Sequence, residues 1–392
     1  MRTIDFDHRA ADAVALDAAR DEVLAEPDIV YNKAYGGFWI AAHFDHVTAI
    51  VRDHARFGSA DGVNYPRPPL DFPALPIEAD APDHRDYRRL LTPLVTASRV
   101  ESYDPVIRSY AASLLHKFGA AGQVWDAISN FALPVPVYAA AAMFGISGAE
   151  FDDFNKAITH LNHQTILGND ELLAAANIVA FDMFKRCLKS AHHRPFDETD
   201  LFSILVHATM NGRPLTHDEQ LGTALTTANG ASSTTSEAIG FMTYHLATRP
   251  GLFERIADDP TLVEPFIEES LRANSPVWHL FRTVLTPVTI GGVDMKPGDK
   301  VMVAYAWANH DAARFSDPDN IDIDIKRPTH LAFSGGVHRC VGLHLARLQL
   351  RIVVQELVRT WSGIELVGAL QPPRAHFGTR GFDQLDVRLV PK

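Results

Sequence analysis

Apolar residues recur at helical spacing along most of the longer segments of this chain, with an interval near 3.6 residues. Strand-like stretches are short and scattered. They cover residues 38–42, residues 289–293 ahead of Lys296-Pro297-Gly298, residues 300–305 and residues 385–389. Such strands do not alternate regularly with helices, which argues against a doubly wound sheet. The pattern predicts a mainly α fold with a small β region. No linker, internal repeat or low-complexity tract breaks the chain, so residues 1–392 are read as a single domain. The Pro-rich stretch 65–76 is read as a long ordered loop.

One helix is written clearly. Thr216 and Glu219 form a capping-box pattern, and nothing breaks the helix firmly until Pro250. At 1.5 Å rise, thirty-odd residues span roughly 50 Å, the width of a domain. Its midpoint is unusual. Seven of the eleven residues from Thr226 to Ser236 are Ser or Thr, with Asn229 and Gly230 among them. These residues compete for backbone hydrogen bonds and are mediocre helix formers. Two readings stand at this point: a ligand passing a weakened helix, or a Ser/Thr-rich solvated turn.

Composition narrows the function. A chain of 392 residues with 46% hydrophobic and 21% charged residues can bury a core large enough to enclose a cofactor. The formal net charge of -12 argues against nucleic acid as a partner. There is no run of 18 apolar residues, so no membrane span is expected. The charged N-terminus lacks the apolar core of a signal peptide. The only cysteines, Cys187 and Cys340, lie far apart, which fits a reducing, cytoplasmic setting rather than a disulfide framework.

Cys340 carries the strongest signal. It sits in Phe333-Ser334-Gly335-Gly336-Val337-His338-Arg339-Cys340-Val341-Gly342, directly before a helix predicted over residues 343–359. A helix N-terminus favours thiolate over thiol, and glycines let backbone approach a flat ligand closely. The loop resembles the haem-binding signature of the cytochrome P450 family: Phe333, Gly336, His338, Cys340 and Gly342 match, and Ser334 stands where Gly is usual. The resemblance implies a long central helix over a haem b, with the cysteine loop on the opposite face and the Cys340 thiolate as axial ligand to iron. Such a ligand donates electron density that favours O–O cleavage.

Other matches extend the resemblance over roughly residues 30 to 390. Glu269 and Arg272 resemble the family's Glu-x-x-Arg pair, and a spacing of three lets them meet on one helix face. His84 and Arg88, four residues apart, resemble the helix that meets the haem propionates, and Arg282 and His338 resemble further propionate partners. Ile325 stands where bacterial relatives often carry Arg, which leaves Lys326 or Arg327 to serve.

The central helix departs most from the family. An acid followed by Thr usually relays protons there to the dioxygen site. Anchoring on Gly230 puts Ser232 at the acid position and Ser233 at the alcohol position; sliding by one puts Ser233 and Thr234 there. A serine can hold a water but is not an acid near neutral pH. Losing a positioned proton donor typically costs ~10²–10⁴ in rate. A water chain held by Ser232, Ser233 or Thr234 is the first expectation. Glu237 is read as a solvated helix glutamate, with proton supply as the alternative.

By resemblance, the substrate pocket takes in Arg67, His163, Leu225, Asn229, Val277, Trp278, His279 and Phe377. That mixture suits a hydrophobic molecule bearing an oxygen function. The resemblance further implies a monooxygenase that uses dioxygen and a separate ferredoxin or flavodoxin with its NAD(P)H-dependent reductase, docking near Arg339 and Arg347. A peroxide-driven or non-oxygenating haem–thiolate enzyme is the alternative, and a non-catalytic haem protein stands behind both.

Overall fold

The structure is a computed structural model that describes the chain except residues 1, 10, 11, 69–71, 120, 121, 168, 169 and 377. Its spine is the helix His217–Thr248, 32 residues long. Thr216 accepts the Glu219 N–H at 3.2 Å, and the Glu219 carboxylate accepts the Thr216 N–H at 2.7 Å, so the expected capping box forms. Arg213 and the Tyr87 hydroxyl also donate to Glu219, which holds its carboxyl down at about 2. The Ser/Thr run does not break the helix. Ser232, Ser233, Thr234 and Ser236 donate to the carbonyls of Ala228, Asn229, Gly230 and Ser232, so each hydroxyl is satisfied inside the helix.

Around this spine pack the helices Pro134–Met143, Ala149–Leu167, Asp170–Ala191, Val263–Ala273 and Leu343–Thr360. Their apolar faces form one large core that includes Phe144, Phe154, Phe184, Phe241 and Phe266. The β region is small and divided. A six-stranded sheet runs in the order Thr3–Ile4, Val30–Asn32, Phe38–Ala41, Lys300–Val303, Leu280–Val284, Phe57–Gly58. Val301 lies opposite Trp39 in a parallel pairing and opposite Arg282 in an antiparallel one. Trp361–Leu366, Asp386–Pro391 and Trp125–Asp126 form a three-stranded sheet.

The strands expected from sequence are present with altered ends. The stretch 289–293 is two strands, Val288–Ile290 and Val293–Met295, because Gly291 and Gly292 adopt φ of 53° and 72° and turn the chain between them. The strand beginning at Lys300 stops at Val303, and Tyr305 already opens a short helix.

Glu269 and Arg272 pair as expected, and both are buried. Two parallel bonds of 2.9 Å join them. Arg272 donates further to the carbonyls of Asn309, Pro318 and Asn320. Arg327 donates to Glu269 at 2.8 Å, so it is Arg327, not Lys326, that completes the group. This network ties the helix Val263–Ala273 to the irregular segment that leads into the cysteine loop.

Candidate active site: a thiol beneath the central helix

The cysteine loop is fixed by backbone geometry. The Cys340 N–H donates to the Phe333 carbonyl at 3.0 Å and the Ser334 N–H to the Leu331 carbonyl at 2.8 Å. Ser334 sits at φ 56°, the left-handed region that costs a residue with a Cβ. Its hydroxyl donates to the Tyr305 hydroxyl at 3.2 Å, which offsets part of that cost. Gly336 sits at φ 63°, and a Cβ there would lie 2.0 Å from the Val51 carbonyl oxygen. Glycine here lets the loop lie against the helix Phe44–Arg52. Gly342 has open space beside it and caps the helix Leu343–Thr360.

Cys340 opens into a cavity of about 270 Å³. Phe333, Val341, Gly342 and Leu345 share its wall with the thiol. The opposite wall is the central helix, which contributes Thr226, Thr227, Gly230, Ala231, Thr234, Thr235 and Ala238. A repeat of four places these residues on one helix face. Burial pushes the Cys340 thiol up, while the Gly342 N–H and then Arg88, Arg347 and Arg339 pull it down. The net direction for the free thiol is up. A coordinated metal would deprotonate the sulfur outright.

Beside the thiol stands a group of basic side chains. His84 and Arg88 come from the helix Asp83–Leu91, Arg282 from the sheet and His338 from the cysteine loop. The His84 and His338 rings are 4.1 Å apart. Burial, then Arg282, His84 and Arg88, pushes His338 down to about 3. His84 is lowered by burial and Arg88, against a smaller raising by Asp80. Asp80 is already engaged by the Ser59 and Ala60 N–H groups. Two arginines beside imidazoles whose protonation they oppose leave positive charge that calls for anions. A haem fits this site: Arg88 and Arg282 would meet its propionates, the apolar walls would enclose its ring, and the Cys340 sulfur would hold its iron.

The helix face corrects the distal expectation. Thr234 lines the cavity, whereas Ser232 and Ser233 do not. Ser232 is fully buried and accepts from the Asn162 side chain at 2.8 Å; Ser233 turns back to Asn229. Glu237 is not solvated. It is 2% exposed, and burial raises its carboxyl well above the ordinary range.

Of the expected pocket residues, Val277 lines the cavity and its neighbour Leu280 does too. The others described here do not. Arg67 donates to the buried carboxylate of Glu78 at 2.8 Å, which pins the preceding loop instead. Trp278 is buried in a separate core beside Trp307 and Phe6. His279 is buried against His8 and Phe281, and burial pushes it well below its usual range. Leu225 belongs to the main core, Asn229 accepts from Ser233, and His163 lies beside Asp383. Phe377 lies outside the described residues. Arg347 is held by Glu268 in two bonds of 2.7 Å and sits over the Phe333 ring, so its guanidinium is committed within the fold; Arg339 is exposed.

Several wall residues escaped the sequence reading. Thr226 and Thr227 lie between the expected pocket residues Leu225 and Asn229, on the same helix face as Gly230 and Ala231. Gln349 is buried on the helix after the cysteine, and its carbonyl oxygen has no partner among the described residues. A polar residue among Leu345, Leu348 and Ile352 is the cue that marks it. Pro76, Ile77 and Tyr305 reach the cavity through tertiary folding alone.

Comparison with known proteins agrees with this geometry. The Cytochrome P450 family model matches residues 172–364. The chain is 32% identical to the mycinamicin IV hydroxylase/epoxidase of Micromonospora griseorubida, covering 84% of this chain and 83% of the relative. It is 30% identical to the nocardicin C N-oxygenase of Nocardia uniformis, covering 87% and 86%. The crystal structure of P450 OxyD, involved in the biosynthesis of vancomycin-type antibiotics, superimposes with a TM-score of 0.88 at 25% identity, covering 97% of each chain. With a thiol facing a long helix across an apolar, cation-edged cavity, and with relatives this similar over most of their length, the chain belongs to the cytochrome P450 family and is a haem-dependent monooxygenase.

Proposed function

We propose that residues 1–392 form one haem b domain that inserts an oxygen atom into a small, neutral, hydrophobic substrate by hydroxylation, epoxidation or O-dealkylation. Cys340 would hold the iron; His84, Arg88, Arg282 and His338 would meet the propionates, with Phe333, Gly336 and Gly342 shaping the loop. The haem supplies the oxygen chemistry. Thr234 would order water on the distal face, and Val277, Leu280 and Thr226 would contact substrate. The observation that carries this reading is the placement of the Cys340 thiol across the cavity from Thr234. The substrate is read as neutral because Arg67 and His279, the candidate anchors for a carboxylate, are engaged elsewhere. The hydroxylase/epoxidase and N-oxygenase relatives support oxygen insertion into organic molecules. Electrons would come in the cytoplasm from a ferredoxin or flavodoxin with its NAD(P)H-dependent reductase, docking near Arg339.

A spin-state titration of the ferric holoenzyme tests this. Neutral terpenes, steroids and aromatic ethers should shift the Soret band to shorter wavelength, and aromatic and fatty carboxylates should not. A shift with carboxylates alone would overturn the neutral-substrate reading. Acid–ketone extraction should release the haem, as type b requires. One observation favours a peroxide-driven reaction instead: no acid of the central helix lines the cavity. Product formed with hydrogen peroxide but never with an electron donor would establish that alternative.

A further inference from the structure

We infer that Glu237 is the acid that feeds protons to the distal side of this cavity, acting from behind its wall through the hydroxyls of Thr379 and Thr234; this rests on the monooxygenase reading.

The wall itself offers hydroxyls but no acid. Thr226, Thr227, Thr234 and Thr235 line it. Between Glu219 and the end of the central helix, Glu237 is the one acid in the sequence. It is buried, three residues after Thr234, so the two lie on adjoining turns with Cβ atoms roughly 5–6 Å apart. Its side chain runs toward the hairpin Arg374–His376/Thr379–Gly381: a Cβ on Gly381 would lie 2.8 Å from the Glu237 Cγ. Gly381 therefore leaves the space that the carboxyl occupies. The Thr379 hydroxyl is the polar group that acts on that carboxyl. Thr379 is in turn bridged to Val277, which lines the cavity. The acid thus sits one layer behind the wall, three residues along the helix from Thr234 and beside the strand whose Thr379 bridges to Val277.

Its surroundings suit a proton store. No charged side chain among the described residues acts on Glu237. Arg380, next to Thr379, turns to Asp17 at 3.7 Å and toward the Phe241 ring. Unpaired burial disfavours the carboxylate and raises the carboxyl well above its ordinary range. A structural glutamate in a core would ordinarily be paired.

The reaction balances as follows. A substrate C–H, one dioxygen, two electrons and two protons give a C–OH and one water. The electrons come from the external one-electron donor protein. In each proton delivery the Glu237 O–H bond breaks, the proton passes to a threonine oxygen while that hydroxyl releases its own proton onward, and a proton drawn from bulk solvent restores the carboxyl.

The test compares wild-type holoenzyme with Glu237→Gln and Glu237→Asp. Infrared spectroscopy of the wild type at neutral pH should show the carbonyl stretch of a protonated carboxylic acid, and Glu237→Gln should lack it. With an electron donor, Glu237→Gln should lower product formed per electron pair by at least about tenfold, with substrate affinity in the spin-state titration unchanged. Glu237→Asp should recover part of that loss. With hydrogen peroxide, which brings its own protons, Glu237→Gln should match the wild type. Absence of the infrared band, or donor-driven coupling within about twofold of wild type, would overturn the inference alone. Loss of donor-driven and peroxide-driven turnover together would assign Glu237 a structural role. A wild type that makes product only with peroxide would overturn the monooxygenase reading and, with it, the relay.

Discussion

The two walls of the cavity are built on different terms. On the thiol side, backbone geometry restricts particular positions. Gly336 must be glycine because of its φ and the Val51 carbonyl, and Phe333 accepts the Cys340 N–H on its backbone while its ring carries Arg347. On the central-helix side, the backbone is an ordinary helix and any small side chain fits. What matters there is rotation: which of seven similar Ser and Thr residues faces inward. A wall specified by backbone strain leaves a signature in the sequence, whereas a wall specified by facing leaves a composition.

That contrast can be broken, and the largest effect tests neither wall but their common support. Arg272→Ala leaves the Glu269 carboxylate buried with fewer partners, and should cost about 3–5 kcal/mol in thermal unfolding. A loss within 1 kcal/mol would mean that the network does not brace the cysteine loop. On the helix side, Thr234→Ala should lower coupled turnover about a hundredfold, roughly 2.7 kcal/mol. Ser233→Ala should stay within about threefold; the reverse order would mean that the helix is rotated from its assigned facing. On the thiol side, Gly336→Ala should cost about 1–3 kcal/mol from backbone strain alone, with haem content of the purified protein as a second measure.

A fourth test uses pH. The Glu237 carboxyl is raised in the folded protein, so its stabilising contribution is complete below the ordinary carboxylate pKa and is lost as pH rises toward the folded value. Glu237→Gln should therefore gain on the wild type by up to about 1.4 kcal/mol per pH unit through that window. Parallel stability curves would show that the carboxyl is not held protonated. The smallest effect is expected at Ser334. Ser334→Gly releases left-handed strain but loses the bond to Tyr305, and should shift stability by less than about 1 kcal/mol.

What could be read in advance follows the same division. Cys340, the Thr216/Glu219 cap and the Glu269/Arg272 pair were legible because each depends on neighbours within a few residues. Trp278 and His279 lie away from the cavity because their partners, Trp307 and His8, come from other elements of the fold, and Arg67 because it pairs with Glu78 farther along its own loop. The Ser/Thr run gave its helix but not its facing: three adjacent positions span nearly a full turn, and the choice among Ser232, Ser233 and Thr234 is made by contacts such as Asn162. Glu237 was misread for the same reason, since the room that Gly381 leaves cannot be inferred from the helix alone.

The register that sets Val301 beside Trp39 has a kinetic consequence. It joins strands far apart in the sequence, as does the pairing of Asp386 with Asp126. Closing such long loops adds only slowly to the entropic cost, so equilibrium stability suffers little. The rate suffers more, because distant contacts form late. During synthesis the helices around residues 134–191 can pack early, while the cofactor pocket waits for the last fifth of the polypeptide. Haem supply is therefore needed at the end of folding, and a chain stopped short of Cys340 would assemble its helical half without a place for it.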